Sequence, residues 1–202
     1  MEAAHVTPLK PDVVRNHIAK HIGEVQHCVE VLPHEELAQI VESIVEACRQ
    51  SKQVFIFGNG GSASTASHFA CDLGKGAVVK DRPRLRVSSL NDNMAIMTAI
   101  SNDISYEAVF VEQLRNLLNP GDVVIGISAS GNSPNVLRGF EYAREVGATT
   151  VGLIGFGGGN LDDLSDISVV VDSYDYGVVE GVHMVLEHVI SQSVREKLIH
   201  AW

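Results

Sequence analysis

From residue 54 onward the chain alternates short apolar runs with helical stretches, and this alternation narrows the possible folds more than any other feature. The runs are Val54–Phe57, Leu85–Leu90, Val123–Ile127, Thr150–Ile154 and Ile167–Val171, rich in β-branched residues. Helical stretches lie between them, near Ala63–Leu73, Met94–Ile100, Tyr106–Leu118 and Val136–Glu145. Nearly continuous apolar strands separated by helices imply a parallel sheet covered on both faces. Two helical patterns come first. Val14, Ile18, Ile22, Val25 and Val29 recur at three- and four-residue steps, and Leu37, Ile40, Ile44 and Cys48 do so after a break at Pro33. A last amphipathic helix runs from Val178 to near Ile199. The expected fold is α/β, a doubly wound five-stranded parallel sheet with an N-terminal helical pair. One domain is expected over residues 1–202, with 10–50 as the helical extension.

In such sheets ligands bind beyond the carboxyl ends of the strands. The loops that leave there are Gly58–Ser62, Asn91–Asn93 and Ser128–Ser133; the glycine-rich Gly155–Asn160 reads as a simple turn. The third loop belongs to DVVIGISASGNSP, residues 122–134, in which a strand delivers Ser128, Ser130 and Ser133 to the start of a helix. Pro134 suits the first helical position, where its missing N–H costs nothing. Hydroxyls and backbone amides gathered at a helix N-terminus form a phosphate cradle. No GxxxxGK[ST] pattern is present, so this is not a nucleotide P-loop. The first loop, Gly58-Asn59-Gly60-Gly61-Ser62-Ala63, fits GxGxxA. A dinucleotide site needs an acidic residue about 20 positions on, at the tip of the second strand. Asp92 lies 34 residues beyond Gly58 and Asp81 precedes the strand, which speaks against nicotinamide binding.

His68 and Asp72 are four residues apart and share a helix face. On the last helix Glu180, His183, Glu187 and His188 cluster, with Glu180 and His188 separated by roughly 12 Å of helix rise. A single histidine here could simply be satisfied in the core or face solvent. Two His/acid groups on two helices carry more. They suit Zn²⁺ or a similar divalent ion, and equally a general acid/base pair without metal.

The net charge of −10 excludes the basic footprint of a general nucleic-acid binder, and it leaves local dipoles to hold any phosphate. The opening MEAAHVTPLKPD lacks an apolar leader core and no run approaches 18 apolar residues, so neither export nor membrane insertion is signalled. Cys28, Cys48 and Cys71 are scattered and read as buried reduced thiols of a cytoplasmic protein. Val13, Val14, Val25, Val29 and Val31 do not fit one narrow stripe, which predicts a homo-oligomer.

GNGGSASTASHFACDL, the Asn102-Asp103 pair ahead of Tyr106, GISASGNSPNVL and the terminal EGVHMVLEH together resemble the sugar isomerase (SIS) domain family over about residues 10–200. The resemblance implies a flavodoxin-like fold and, in the branch it most resembles, interconversion of sedoheptulose 7-phosphate and a D-glycero-aldoheptose 7-phosphate. It also implies a homotetramer with sites at subunit interfaces. Carried over by position, Ser128, Ser130 and Ser133 would hold phosphate. Asn59, Gly60, Gly61, Ser62 and Asp103 would meet the sugar. His68, Asp72, Glu180 and His188 fall where the family places zinc ligands, with Asp72 and His188 also the catalytic acid/base groups. Asp72 would remove the carbon-bound proton next to the carbonyl, an enediol would form, and His188 would move the oxygen-linked proton. The chain departs from the family pattern where Asp72 replaces Glu, Glu180 replaces Gln and Ala129 replaces Thr. Gly177-Val178-Val179-Glu180-Gly181 stands for Asp-Arg-Ile-Gln-Glu. A non-catalytic phosphosugar binder and a different phosphosugar reaction stay open beside the isomerase reading.

Overall fold

The computed structural model describes residues 11–200; residues 1–10 and 201–202, at the two ends of the expected 1–202 domain, lie outside the described residues. Two helices lead, α1 (Pro11–Glu30) and α2 (His34–Arg49). They are followed by β1 (Gln53–Gly58), α3 (Gly61–Cys71), which runs on as a π-helical turn through Asp72–Gly76, β2 (Arg86–Ser89) and α4 (Met94–Asp103). A 3₁₀ turn at Tyr106–Ala108 precedes α5 (Val111–Leu117), β3 (Val123–Ser128) and α6 (Pro134–Val146). The chain closes with β4 (Thr149–Ile154), α7 (Gly159–Leu164), β5 (Ile167–Val170) and α8 (Tyr176–His200).

All strand pairs are parallel, in the order β2-β1-β3-β4-β5. This is the expected doubly wound sheet, and its strand order reverses between β1 and β3, the switch point where such sheets open a crevice. Gly58 pairs with Ile127 there, so the loops after β1 and β3 leave side by side. The Asn91 side chain accepts from the Gly58 N–H (3.2 Å) and donates to its carbonyl (2.9 Å), tying the loop after β2 to the same place.

Strand alternation explains the two cores. Val54 and Ile56 point to the face covered by α2, α3 and α8, among Ile40, Ile44, Phe69, Leu186 and Ile190. Phe55 and Phe57 point to the other face, where Phe57 stacks on Phe110 at 4.6 Å and meets the edge of Phe140 at 6.2 Å. Each such side chain contributes about 1.5–3 kcal/mol by leaving water. At the amino end of the sheet the buried Asp122 accepts the backbone N–H groups of Gln53 and Asn119, both at 2.8 Å.

Three expectations need correction. The helix expected over Tyr106–Leu118 is broken, because Val109 and Phe110 turn fully into the core between the 3₁₀ turn and α5. The segment read as a simple turn at Gly155–Asn160 contains the start of α7. Cys28 and Cys48 are buried, whereas Cys71 is exposed at the end of α3. In the N-terminal pair, Val25 and Val29 pack on the core while Val13, Val14, Ile18 and Ile22 are exposed. Among the described residues no helix is long and apolar enough to cross a membrane.

Candidate functional site

The loop after β3 is held shut by its own polar groups. The Gly131 N–H donates to Ser128 Oγ (3.2 Å), the Asn132 N–H to Ser130 Oγ (3.3 Å), and the Ser128 and Ser133 hydroxyls lie 3.3 Å apart. Pro134 opens α6 directly after Ser133, as the sequence predicts. Gly131 has φ +65°, and any side chain there would run into the Gly158 carbonyl. That contact explains the glycine-rich segment. Its backbone N–H groups at Gly155, Leu161 and Asn160 donate to Ala129 O (3.1 Å), Gly131 O (2.9 Å) and Asn132 Oδ1 (3.1 Å). A stretch read as a turn is therefore the buttress of the serine loop.

The three serines border a cavity of about 130 Å³ together with Asn59, Ser62, Tyr176 and Glu180. Asn59 is oriented by two partners that sequence reasoning did not assign. Its Oδ1 accepts from the Tyr106 hydroxyl (2.7 Å) and from Asn135 Nδ2 (2.9 Å), while its Nδ2 donates to Asn135 Oδ1 (2.8 Å). Gly60 caps α3 with φ +56°, and Gly61 leaves the room that the Glu180 carboxylate occupies. Asp103 lies apart from this cavity, exposed at the end of α4 and accepting from the Asn102 amide (2.8 Å).

The second constellation joins α3 to α8. His68, Asp72, Glu187 and His188 each offer one donor atom, all within 4.8 Å of one another. Three of the four expected ligands, His68, Asp72 and His188, are thus brought together. Glu180 is not; it stands over Gly61, roughly 12 Å of helix rise from His188. Glu187 has the fourth place. It belonged to the helix cluster visible in the sequence, but α8 carries apolar residues around its whole circumference, and no periodicity marked position 187 as facing α3.

The two imidazoles stand perpendicular, at 89°, with centroids 5.0 Å apart. Their Nε2 atoms both lie 3.9 Å from Asp72, one from each carboxylate oxygen. Their Nδ1 atoms face Glu187 Oε1, at 3.4 Å from His68 and 3.2 Å from His188. His188 Nδ1 is also 2.7 Å from the Met184 carbonyl. A carbonyl only accepts, so that nitrogen carries the proton and Nε2 keeps its lone pair. Glu187 is fully buried, and neither of its oxygens has a hydrogen-bond partner. Burial pushes its carboxyl above the usual range; His188 and His68 pull it down and Asp72 adds to the rise. One turn earlier, His183 is fully buried with both ring nitrogens unpartnered, and burial depresses it to about 4 against a weaker opposing pull from the Ile154 carbonyl. Two imidazole Nε2 atoms facing the Asp72 carboxylate, backed by the unpaired buried Glu187, fit a site for Zn²⁺ or a similar cation.

The strand order and the polar loops at its switch point place the molecule among α/β domains that bind small molecules at the carboxyl ends of a parallel sheet. The SIS domain family matches residues 19–155, and the chain belongs to that family. A phosphoheptose isomerase of Helicobacter pylori is 36% identical over 189 residues, covering 94% of this chain and 97% of the relative. One from Mycobacterium bovis is 40% identical over 159 residues, covering 79% and 81%. The structure of the Neisseria gonorrhoeae phosphoheptose isomerase matches with a TM-score of 0.83 at 29% identity, covering 92% of this chain and 98% of that one.

Proposed function

We propose that the protein is an aldose–ketose isomerase that interconverts sedoheptulose 7-phosphate and a D-glycero-heptose 7-phosphate through an enediol. The observation that carries this is the convergence of His68 and Asp72, from α3 and the turn that continues it, with Glu187 and His188 of α8, while the N-terminal loop of α3 borders the serine cavity. A non-catalytic phosphosugar binder has no use for that second constellation. The phosphoheptose isomerases among the relatives support the sugar.

In this reading Ser128, Ser130 and Ser133 hold the phosphate, while Asn59, Gly60, Gly61 and Ser62 meet the sugar; Asp103, exposed at the end of α4 and apart from the cavity, is left out of it. Ser62 to His68 spans roughly 9 Å of helix rise, which suits a ligand whose phosphate and carbonyl are several carbons apart. Asp72, partly exposed between the two Nε2 atoms, takes the proton from the carbon beside the carbonyl. His188 keeps its Nδ1 proton on Met184 and uses the Nε2 lone pair to move the oxygen-linked proton. His68, Asp72 and His188 are the residues that would hold Zn²⁺, which supplies Lewis-acid polarisation of the carbonyl and hydroxyl oxygens when bound. The exposed Val13, Val14, Ile18 and Ile22 of α1 and Met94 and Ile96 of α4 support a homotetramer, which light scattering tests directly.

The functional test is to incubate the purified protein with ketose and aldose phosphates of five to seven carbons and follow interconversion by NMR. Turnover of the seven-carbon phosphate, and little of the unphosphorylated heptulose, is expected. Equal use of the unphosphorylated sugar, or no turnover of any seven-carbon phosphate, overturns the proposal.

A further inference from the structure

The atoms around Glu187 sort into two sides. Asp72 faces the Nε2 nitrogens of His68 and His188, whereas Glu187 Oε1 faces both Nδ1 nitrogens. On His188 the Nδ1 proton is already committed to the Met184 carbonyl. A cation shared by Glu187 and His188 on that side would need the Nδ1 lone pair, and the Met184 bond removes it. Any ion is then held on the Nε2 side, with Glu187 behind the rings. Histidines that ligate metals usually give their other N–H to a carboxylate or carbonyl, which fixes tautomer and ring direction. His188 has Met184 for this purpose. The carboxylate that faces His68 Nδ1 is Glu187, its Oε1 at 3.4 Å and not yet aligned as a hydrogen bond. The last torsion of a Glu side chain is broad, so rotation of the carboxylate can bring it into line.

The geometry points to Glu187 as the positioning residue that accepts the Nδ1 proton of His68 and so aims the His68 Nε2 lone pair at the Asp72 side of the site. This assignment rests on the metal reading above only for its consequence, tighter cation binding; the tautomer itself is a property of the metal-free protein. Glu187 also faces His188 and lies near Asp72. Its carboxylate therefore completes a ring of four groups with each histidine oriented from behind.

The test uses the full-length protein, dialysed against chelator, with ¹⁵N-labelled histidine. Long-range ¹H–¹⁵N spectra should show both His68 and His188 as Nδ1–H tautomers. In Glu187→Leu, His68 should revert toward the Nε2–H form that free imidazole prefers, while His188, anchored on Met184, should not change. Zn²⁺ affinity, measured by chelator competition, should fall about 10–100-fold. If the Leu variant fails to fold, the same-sized Glu187→Gln should give a mixture of His68 tautomers and at least a tenfold weaker Zn²⁺ affinity. A His68 that is Nε2–H in the parent, or one unaltered in both variants, overturns the inference. So does Zn²⁺ affinity that collapses in Glu187→Gln while the His68 tautomer is unmoved, since Glu187 would then be a direct ligand. A parent protein that binds no Zn²⁺ yet shows the tautomer shift sinks the metal reading and leaves the role of Glu187 standing.

Discussion

Asp122 and Glu187 are both carboxylates withdrawn from water, 3% and 0% exposed, the first at the amino end of the sheet and the second on α8 where it meets α3. Each oxygen of Asp122 accepts a backbone N–H, one from the start of β1 and one from the turn before β3. Neither oxygen of Glu187 has a hydrogen bond, although two imidazoles stand within 3.4 Å. The first carboxylate is spent on architecture: it fastens the amino ends of the two strands whose carboxyl ends make the switch point. The second stands ready to accept a proton from the imidazoles it faces. Burial alone therefore says little about function, and the presence or absence of partners separates a brace from a working group.

The contrast can be tested from both ends. At the working end, Asp72→Asn and His188→Gln should each lower turnover by roughly 10²–10⁴-fold with little change in KM, read from steady-state kinetics on folded protein. A fully active Asp72→Asn would move the proton-abstracting role elsewhere. His183, one turn from Glu187, should impose a pH dependence on stability. The folded protein holds it near 4, below its ordinary 6.5, so the unfolded chain binds that proton first as pH falls. Stability should be full above pH 6.5 and lost progressively toward pH 4, by about 3 kcal/mol from this group. Urea melts at pH 7 and pH 4.5 should show the loss, and His183→Leu should remove that part of it. At the architectural end, Asp122→Ala should cost about 2 kcal/mol by stranding two backbone donors, with kcat unchanged. A loss of activity without loss of stability would erase the distinction drawn here. The smallest effect is expected for Ser130→Ala, about 1.5 kcal/mol from one hydroxyl on a charged acceptor, seen as a roughly tenfold rise in KM for the sugar phosphate.

The strands were readable because β-branched runs such as Val123–Ile127 are buried on both faces and need no partner to declare themselves. The serine loop was readable for a related reason, since a strand, three hydroxyls and Pro134 are all local. What escaped depends on approach between distant segments. Nothing near Gly155–Asn160 announces that its amides serve Ala129, Gly131 and Asn132. Asn135 and Tyr106 reach Asn59 from helical segments far along the chain. Glu180 and Glu187 lie nearly in line on α8, two turns apart, so spacing could not decide which of them meets His68 and which meets Gly61.

The contact between Gly131 and Gly158 has a consequence for anyone who would move this site to another scaffold. A graft limited to residues 128–133 would carry the hydroxyls and leave behind the backing strip that gives them their shape. Residues 155–161 travel with the serines as one transplantable unit, and its seam is lined by Gly131, Gly155, Gly158 and Gly159, tightest between Gly131 and Gly158, where any bulkier residue would wedge the two halves apart.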